Sequence, residues 1–292
     1  MTAMTDSTET AERLAQSIAT LPPLPATAQE ILTCFGDEFI DARKVTAVVE
    51  GDPGICAKLL GLANSAFFGL AEPVNRIDEA ISRVLGVDTV RSLVLAMAIQ
   101  QSFNSQSCPA FNTERFWMQC LMVAECCKRI AMADDGADDT ERDLAYSAGL
   151  CHNLGLMALA HMDPKRTDLV LKKHRSEGGR PGTLAAMFYE QFETDHKIMT
   201  AELARMWSLP APMVAAYQFR AFPESYCGER LGPVVAAGVV SVEHAEADDD
   251  DPADLQPFAD TLSIPLDDLV DSSRFHDWQR ERVQSLASNM TR

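Results

Sequence analysis

Apolar residues recur at helical spacing along most of this chain. In segment 89–103 the apolar side chains follow one another at intervals of three or four residues, namely Val90, Leu93, Val94, Met97 and Ala98. That spacing places them on one face of an α-helix. No segment shows the alternation of apolar and polar residues, rich in Val, Ile, Thr and aromatic side chains, that marks a strand. The sequence therefore predicts an all-α fold.

Start signals place several of the helices. Asp52 precedes Pro53 as a capping residue precedes a proline in the first helical position. Asp88 is expected to cap segment 89–103, and Asn112 or Thr113 to open a long helix over 114–132. Further helices are predicted over 54–68, 142–162, 164–177, 195–207, 210–222, 230–244 and 274–290.

The charge balance excludes some classes of partner. The chain carries 25 Lys and Arg against 43 Asp and Glu, a formal net charge of −18. A net-negative surface repels nucleic acid and anionic membranes, so neither is an expected partner. A DNA-associated regulator could hide a helix-turn-helix in an all-α chain, but no basic recognition helix is present.

The chain also lacks the signals of export and of membrane insertion. Its start has no basic segment followed by an apolar one. The longest apolar runs, residues 93–99 and 234–240, are far shorter than the ~20 residues that span a bilayer. The 8 cysteines show no Cys-x-x-Cys spacing, and we read them as reduced, buried thiols. The expected location is cytoplasmic.

Two polar breaks divide the predicted helices. The first is segment 104–109, and the second is segment 246–252 with four aspartates in a row at 248–251. Adjacent carboxylates repel one another, so the acidic run is predicted to be a solvated loop. A calcium loop is the sharper interpretation, but the alternating oxygen ligands and the central glycine are missing.

Several motifs, taken in order, resemble the HDOD family, a branch of the HD-domain superfamily found in bacterial signalling proteins. They are Leu-Pro-Pro-Leu-Pro at 21–25, Asp52-Pro53, the run at 58–69 with Asn64 and Ser65, Ala-Gly-Leu-Cys-His-Asn-Leu-Gly at 148–155, Asp195-His196, and Trp207-Ser-Leu-Pro. Each motif alone is weak, and their order and spacing together carry the resemblance.

The resemblance implies a helical fold with two lobes. We expect an N-terminal helical segment over 1–20, an N-terminal lobe over 21–105, an HD-like helical bundle over 106–245, and an acidic loop with a helical extension over 246–292. Oligomeric state is left open.

The sequence departs from the superfamily where metal ligands are expected. Metal-dependent HD hydrolases use a first histidine, a His-Asp pair and a distal aspartate. Here Gln119 stands at the first position, the pair reads His152-Asn153, Arg220 lies near positions often held by histidines, and 231–242 holds no aspartate. An Asp to Asn change removes the charge that offsets a divalent cation. We therefore predict a degenerate site with no metal, no cofactor and no catalytic residue.

These departures favour a non-catalytic signal-transduction module that binds a partner protein or a small regulatory ligand. The alternative is a metal-dependent phosphohydrolase or phosphodiesterase on nucleotides or cyclic dinucleotides. His152 is interpreted as a hydrogen-bonded core histidine, paired with Gln119 or Asn153. Cys151 is an unpromising nucleophile, because adjacent residues on a helix point about 100° apart.

Overall fold

The computed structural model describes residues 21–35, 42–65, 68, 70, 72–179, 182–225, 228–247 and 252–291. Within these ranges the chain forms helices and no strand, which confirms the all-α prediction. The predicted helical segment 1–20 and the acidic run 248–251 lie outside the described residues, as do Ala66, Phe67 and Gly69 of the 58–69 motif.

The first lobe is built from short helices around one long buried helix. Its elements are α1 (Ala26–Leu32), α2 (Ala42–Glu50), α3 (Pro53–Ala63), α4 (Ile77–Ala80), a π-helical turn (Ile81–Leu85) and α5 (Val87–Gln101). Asp52 caps α3 as predicted, since its Oδ1 accepts from the N–H groups of Gly54 and Ile55 at 3.0 and 3.1 Å. The predicted helix 54–68 ends earlier, at Ala63.

Helix α5 differs from its prediction in two ways. Every residue from 90 to 99 is buried, so the helix is surrounded by protein and not packed by one face alone. The predicted cap Asp88 is wrong, because Gly86 is the N-cap residue and Asp88 lies in the first turn. There Asp88 pairs with the buried Arg91 at 3.2 Å, one turn further along.

The second lobe is a bundle of longer helices. They are α6 (Thr113–Ala133), α7 (Asp139–Leu150), α8 (Leu154–Met162), α9 (Pro164–Ser176), α10 (Thr183–Phe192), α11 (His196–Met206), α12 (Ala211–Ala221) and α13 (Leu231–Ala247). Asn112 caps α6, because its Oδ1 accepts from the N–H of Arg115 at 2.8 Å. The single helix predicted over 142–162 is wrong, since residues 151–153 form a turn between α7 and α8.

The two lobes share a continuous core. Ser92 of α5 and Ser147 of α7 meet with their hydroxyl oxygens 2.5 Å apart in a buried position. After α13 the chain forms α14 (Gln256–Leu262) and α15 (Leu266–Thr291). Helix α15 touches both lobes: Lys58 of α3 donates to the carbonyl of Met290 at 2.8 Å, and Ser288 donates to Glu114 of α6. The C-terminal helix therefore ties the lobes together.

None of the helices in the described part of the chain has the length and apolar content needed to cross a bilayer.

Candidate functional site

A cavity of about 1010 Å³ lies among the helices of the second lobe. On two helices, α6 and α13, most of the lining residues are spaced three or four apart, which places them on one helix face. From α6 come Phe116, Gln119 and Val123, and from α13 come Val239, Val242, Glu243 and Glu246. The cavity is therefore the space between the facing sides of these helices.

His152 lies on the cavity wall, in the turn between α7 and α8. Its Nδ1 is 2.7 Å from the carbonyl oxygen of Gly149, and the residue is 5% exposed. It is a buried, hydrogen-bonded histidine, but the predicted pairing with Gln119 or Asn153 is wrong. Burial, and then the charge of Arg220, lowers its pKa to about 3. The ring is therefore neutral at neutral pH, with Nδ1 as the donor.

Gly155 brings a second histidine close to the first. A Cβ on Gly155 would lie 2.1 Å from the carbonyl oxygen of His196, so only glycine lets α8 approach α11 this closely. His196 is buried and also lines the cavity. Burial, followed by the charges of Arg220 and Lys197, lowers the pKa of His196 well below its usual value. Two neutral imidazoles thus share the cavity wall.

Arg220 places a fixed positive charge beside these histidines. Its Nη1 donates to the carbonyl oxygen of His152 at 2.6 Å. Burial lowers the pKa of Arg220, and Glu243 acts in the opposite direction. A guanidinium stays protonated in proteins, so the charge remains. Lys197 adds a second cation, whose pKa is lowered by burial and then by Arg220, and raised by Glu243.

Two glutamates of α13 also line the cavity. Glu246 accepts from Nε2 of Gln119 at 2.7 Å and lies 3.8 Å from Arg115. Burial raises the pKa of Glu243, while Arg220 and then Lys197 lower it. Sequence reasoning missed both glutamates because it sought an aspartate over 231–242. Residues 239, 242, 243 and 246 are related by steps of three or four, which places both glutamates on the same helix face as Val239, and this pattern is visible in the sequence.

Some polar atoms around the cavity have no partner. Asn153 precedes α8 as its N-cap residue, yet its side chain makes no capping bond and its buried Oδ1 is unpartnered. The same holds for Nδ1 of His196 and Oε1 of Glu246. Buried polar atoms are usually hydrogen-bonded, so these three atoms are among the exceptions in the described part of the chain.

The structure brings together only part of the predicted site. Gln119, His152, Asn153, His196 and Arg220 all line the cavity. Asp195 caps α11, as its Oδ1 accepts from the N–H groups of Lys197 and Ile198 at 2.7 and 2.9 Å.

The other predicted site residues lie outside the cavity. Asn64 bonds to both backbone groups of Val74, and Ser65 is buried in the first lobe. Trp207 packs on Phe103, with ring centroids 5.9 Å apart. These residues therefore serve the fold.

Cys151 is not a nucleophile. The thiol is fully buried, and burial raises its pKa to about 12. A protonated thiol at neutral pH does not attack carbon or phosphorus centres.

The cavity residues do not fit a catalytic divalent metal. Asn153 offers a neutral oxygen, the amide of Gln119 is bonded to Glu246, and Arg220 supplies a positive charge. Among the described residues, no group of three or more His, Cys, Asp and Glu side chains is placed to hold a metal ion.

The turn that holds the His152-Asn153 pair therefore lies beside Arg220 within a bundle of helices. The sequence model of the HDOD domain matches residues 21–223, and the chain belongs to the HDOD family.

Two solved structures with the same fold carry different kinds of name. A protein from Marinobacter aquaeolei VT8, provisionally named for signal transduction, is 22% identical with a TM-score of 0.79, over 93% of this chain and 60% of its own. A protein from Shewanella amazonensis SB2B, provisionally named a phosphohydrolase, is 24% identical with a TM-score of 0.72, over 95% of this chain and 97% of its own.

A relative in Treponema pallidum (strain Nichols) is an uncharacterized protein. It is 24% identical over 215 residues, which are 74% of this chain and 40% of that protein. The chain thus spans less than half of this relative's length and about 60% of the Marinobacter chain.

Proposed function

We propose that this chain is a signal-transduction module that acts by binding a partner protein or a small regulatory ligand, without catalysis. The observation that carries the proposal is the place of Arg220. Its guanidinium is hydrogen-bonded to the backbone of His152, the histidine of the family's His-Asp pair, which here reads His152-Asn153.

The positive charge of Arg220 repels any metal cation that would bind beside it. A divalent ion about 4 Å from a guanidinium would meet a repulsion of roughly 8 kcal/mol at an effective dielectric constant of ~20. Asn153 supplies no charge to offset that repulsion, as an aspartate would. The metal that would activate water for attack on a phosphate ester is therefore disfavoured here.

The signalling role also has support from the Marinobacter relative, which carries a signal-transduction name. The alternative, a metal-dependent phosphohydrolase on nucleotides or cyclic dinucleotides, has support from the name of the Shewanella relative.

A hydrolysis assay separates the two functions. Purified protein is incubated with bis(p-nitrophenyl) phosphate and with a cyclic dinucleotide, each with and without added Mn²⁺. We expect no turnover above buffer, with an active HD phosphohydrolase as positive control. Mn²⁺-dependent turnover that disappears in His152→Gln would overturn the proposal, since that loss excludes a contaminating enzyme.

A further inference from the structure

The charge of the cavity is opposite to that of the chain. Acidic residues outnumber basic ones by 43 to 25 in the whole sequence. The cavity lining instead holds the basic side chains Arg115, Arg175, Lys197 and Arg220 against the carboxylates Glu243 and Glu246. A basic cavity in a strongly acidic protein attracts anions to one place.

The two innermost cations are poorly neutralised. Neither Arg220 nor Lys197 forms an ion pair within 4.0 Å of a carboxylate among the described residues, and Glu243 is the acidic group that acts most strongly on both. Arg220 has five N–H donors, and its bond to His152 uses one of them. Guanidinium donors in a fork match the oxygens of phosphate and carboxylate groups.

One part of the lining is apolar. Phe111 and Phe116 are in contact, with ring centroids 5.3 Å apart, and Leu171 and Leu184 line the cavity with them. Ligand cavities commonly combine such walls with a few charged groups. At about 1010 Å³ the cavity is far larger than an inorganic anion requires.

We propose that the cavity binds an organic oxyanion, with a phosphate- or carboxylate-type group against Arg220 and Lys197 and an apolar body along the phenylalanine and leucine side chains. This inference rests on the proposed binding function and names the class of its ligand. The guanidinium takes the place of a metal as the positive partner of the anion.

Glu243 competes with the ligand for the same cations. Removing this carboxylate should strengthen anion binding, whereas removing Lys197 should weaken it. The two changes have opposite expected signs, and general damage to the fold cannot produce both. Burial also raises the pKa of Glu243, which indicates that the site holds this carboxylate at a cost.

The test uses ligands that the protein cannot hydrolyse. Phenylphosphonate and benzoate carry an aromatic body with one or the other oxyanion, inorganic phosphate lacks the body, and benzyl alcohol lacks the charge. Binding to the full chain is measured by calorimetry at low ionic strength. We expect phenylphosphonate or benzoate to bind with a dissociation constant of about 1 mM or tighter, more tightly than inorganic phosphate and benzyl alcohol. The tighter of the two aromatic anions tells which oxyanion the site prefers.

Two charge variants at the cavity test the proposal, and two matched charge variants elsewhere serve as controls. Lys197→Gln should weaken binding about tenfold and Glu243→Gln should strengthen it severalfold. Arg205→Gln and Glu202→Gln make the same charge changes at an ion pair of α11 that does not line the cavity, and should leave binding unchanged.

The proposal fails if neither aromatic anion binds at about 10 mM, or if the cavity variants behave like their controls. Such a failure would leave a module that binds a partner protein without catalysis. Metal-dependent hydrolysis, in contrast, would overturn the proposed function without touching this binding test.

Discussion

Asn64→Leu should destabilise the protein, because it removes the two hydrogen bonds between the Asn64 side chain and the backbone of Val74. Asn64 follows α3, where its Nδ2 donates to the carbonyl of Val74 at 2.8 Å and its Oδ1 accepts from the N–H of Val74 at 2.7 Å. Val74 is 1% exposed, so the substitution strands a donor and an acceptor of a buried residue. The turn between α3 and α4 loses its link to the core.

The magnitude follows from the two lost bonds. Each is worth about 0.5–1.5 kcal/mol, which gives about 1–3 kcal/mol in the free energy of unfolding. For a chain of this size the melting temperature should fall by roughly 2–5 °C. Asn64→Asp keeps the acceptor and loses only the donor, so it should fall between wild type and Asn64→Leu. His152→Phe loses one ring hydrogen bond, to Gly149, and should cost less than Asn64→Leu.

Thermal unfolding followed by circular dichroism measures all four proteins. A melting temperature for Asn64→Leu within about 1 °C of wild type would refute the reasoning, because two bonds to a buried residue cannot be lost at so little cost. So would a larger loss in His152→Phe than in Asn64→Leu.

Three further predictions concern buried charge. The pKa of His152 is about 3 when folded and near 6.5 when unfolded, so the unfolded chain binds the proton first. The contribution of His152 to stability should therefore fall by about 1.4 kcal/mol per pH unit from pH ~6.5 down to about 3, and His152→Gln should reduce the total slope in urea unfolding by that amount, while His196 keeps a slope of its own. Asp134→Ala should cost about 3–5 kcal/mol in the same assay, because it removes the fully buried carboxylate that accepts two hydrogen bonds from the half-buried Arg230. Gln119→His with Asn153→Asp should gain Mn²⁺ affinity by calorimetry only when Arg220→Gln is added, since the guanidinium repels the ion.

Helix starts were predictable because caps are local. Asp52 and Asn112 each accept hydrogen bonds from the first turn of the following helix, as predicted, and Asp195 does the same at the start of α11. The predicted cap at Asp88 was wrong because the sequence does not show which side chains lie near it in the folded chain. Its carboxylate pairs with Arg91, and Gly86, with a φ of 78°, begins the helix instead.

The break between α7 and α8 was not predictable from hydropathy. Residues 142–162 are apolar enough for one continuous helix, and their burial on several sides hides any periodic face. The break depends on contacts in the folded chain. The ring of His152 is hydrogen-bonded to the carbonyl of Gly149, and α8 packs closely against α11 at Gly155. In the sequence, only Asn153 and Gly155 indicate a break in the helix at this point.

The candidate site was partly predictable. The family resemblance pointed to Gln119, His152, Asn153 and Arg220, and all four line one cavity. Glu243 was missed because the search assumed an aspartate at a fixed distance. The partners of Gln119 and of the histidines could not be read from sequence, because they depend on how separate helices meet.

The metal content of the purified protein tests the central claim most directly. The chain is expressed in medium supplied with iron, manganese and zinc, and is purified without chelators. Inductively coupled plasma analysis should then find far less than one metal ion per chain, because the half-buried guanidinium of Arg220 and the neutral Asn153 stand where a cation needs negative ligands. About one iron, manganese or zinc ion per chain, lost in His152→Gln, would contradict the account and restore the hydrolase interpretation.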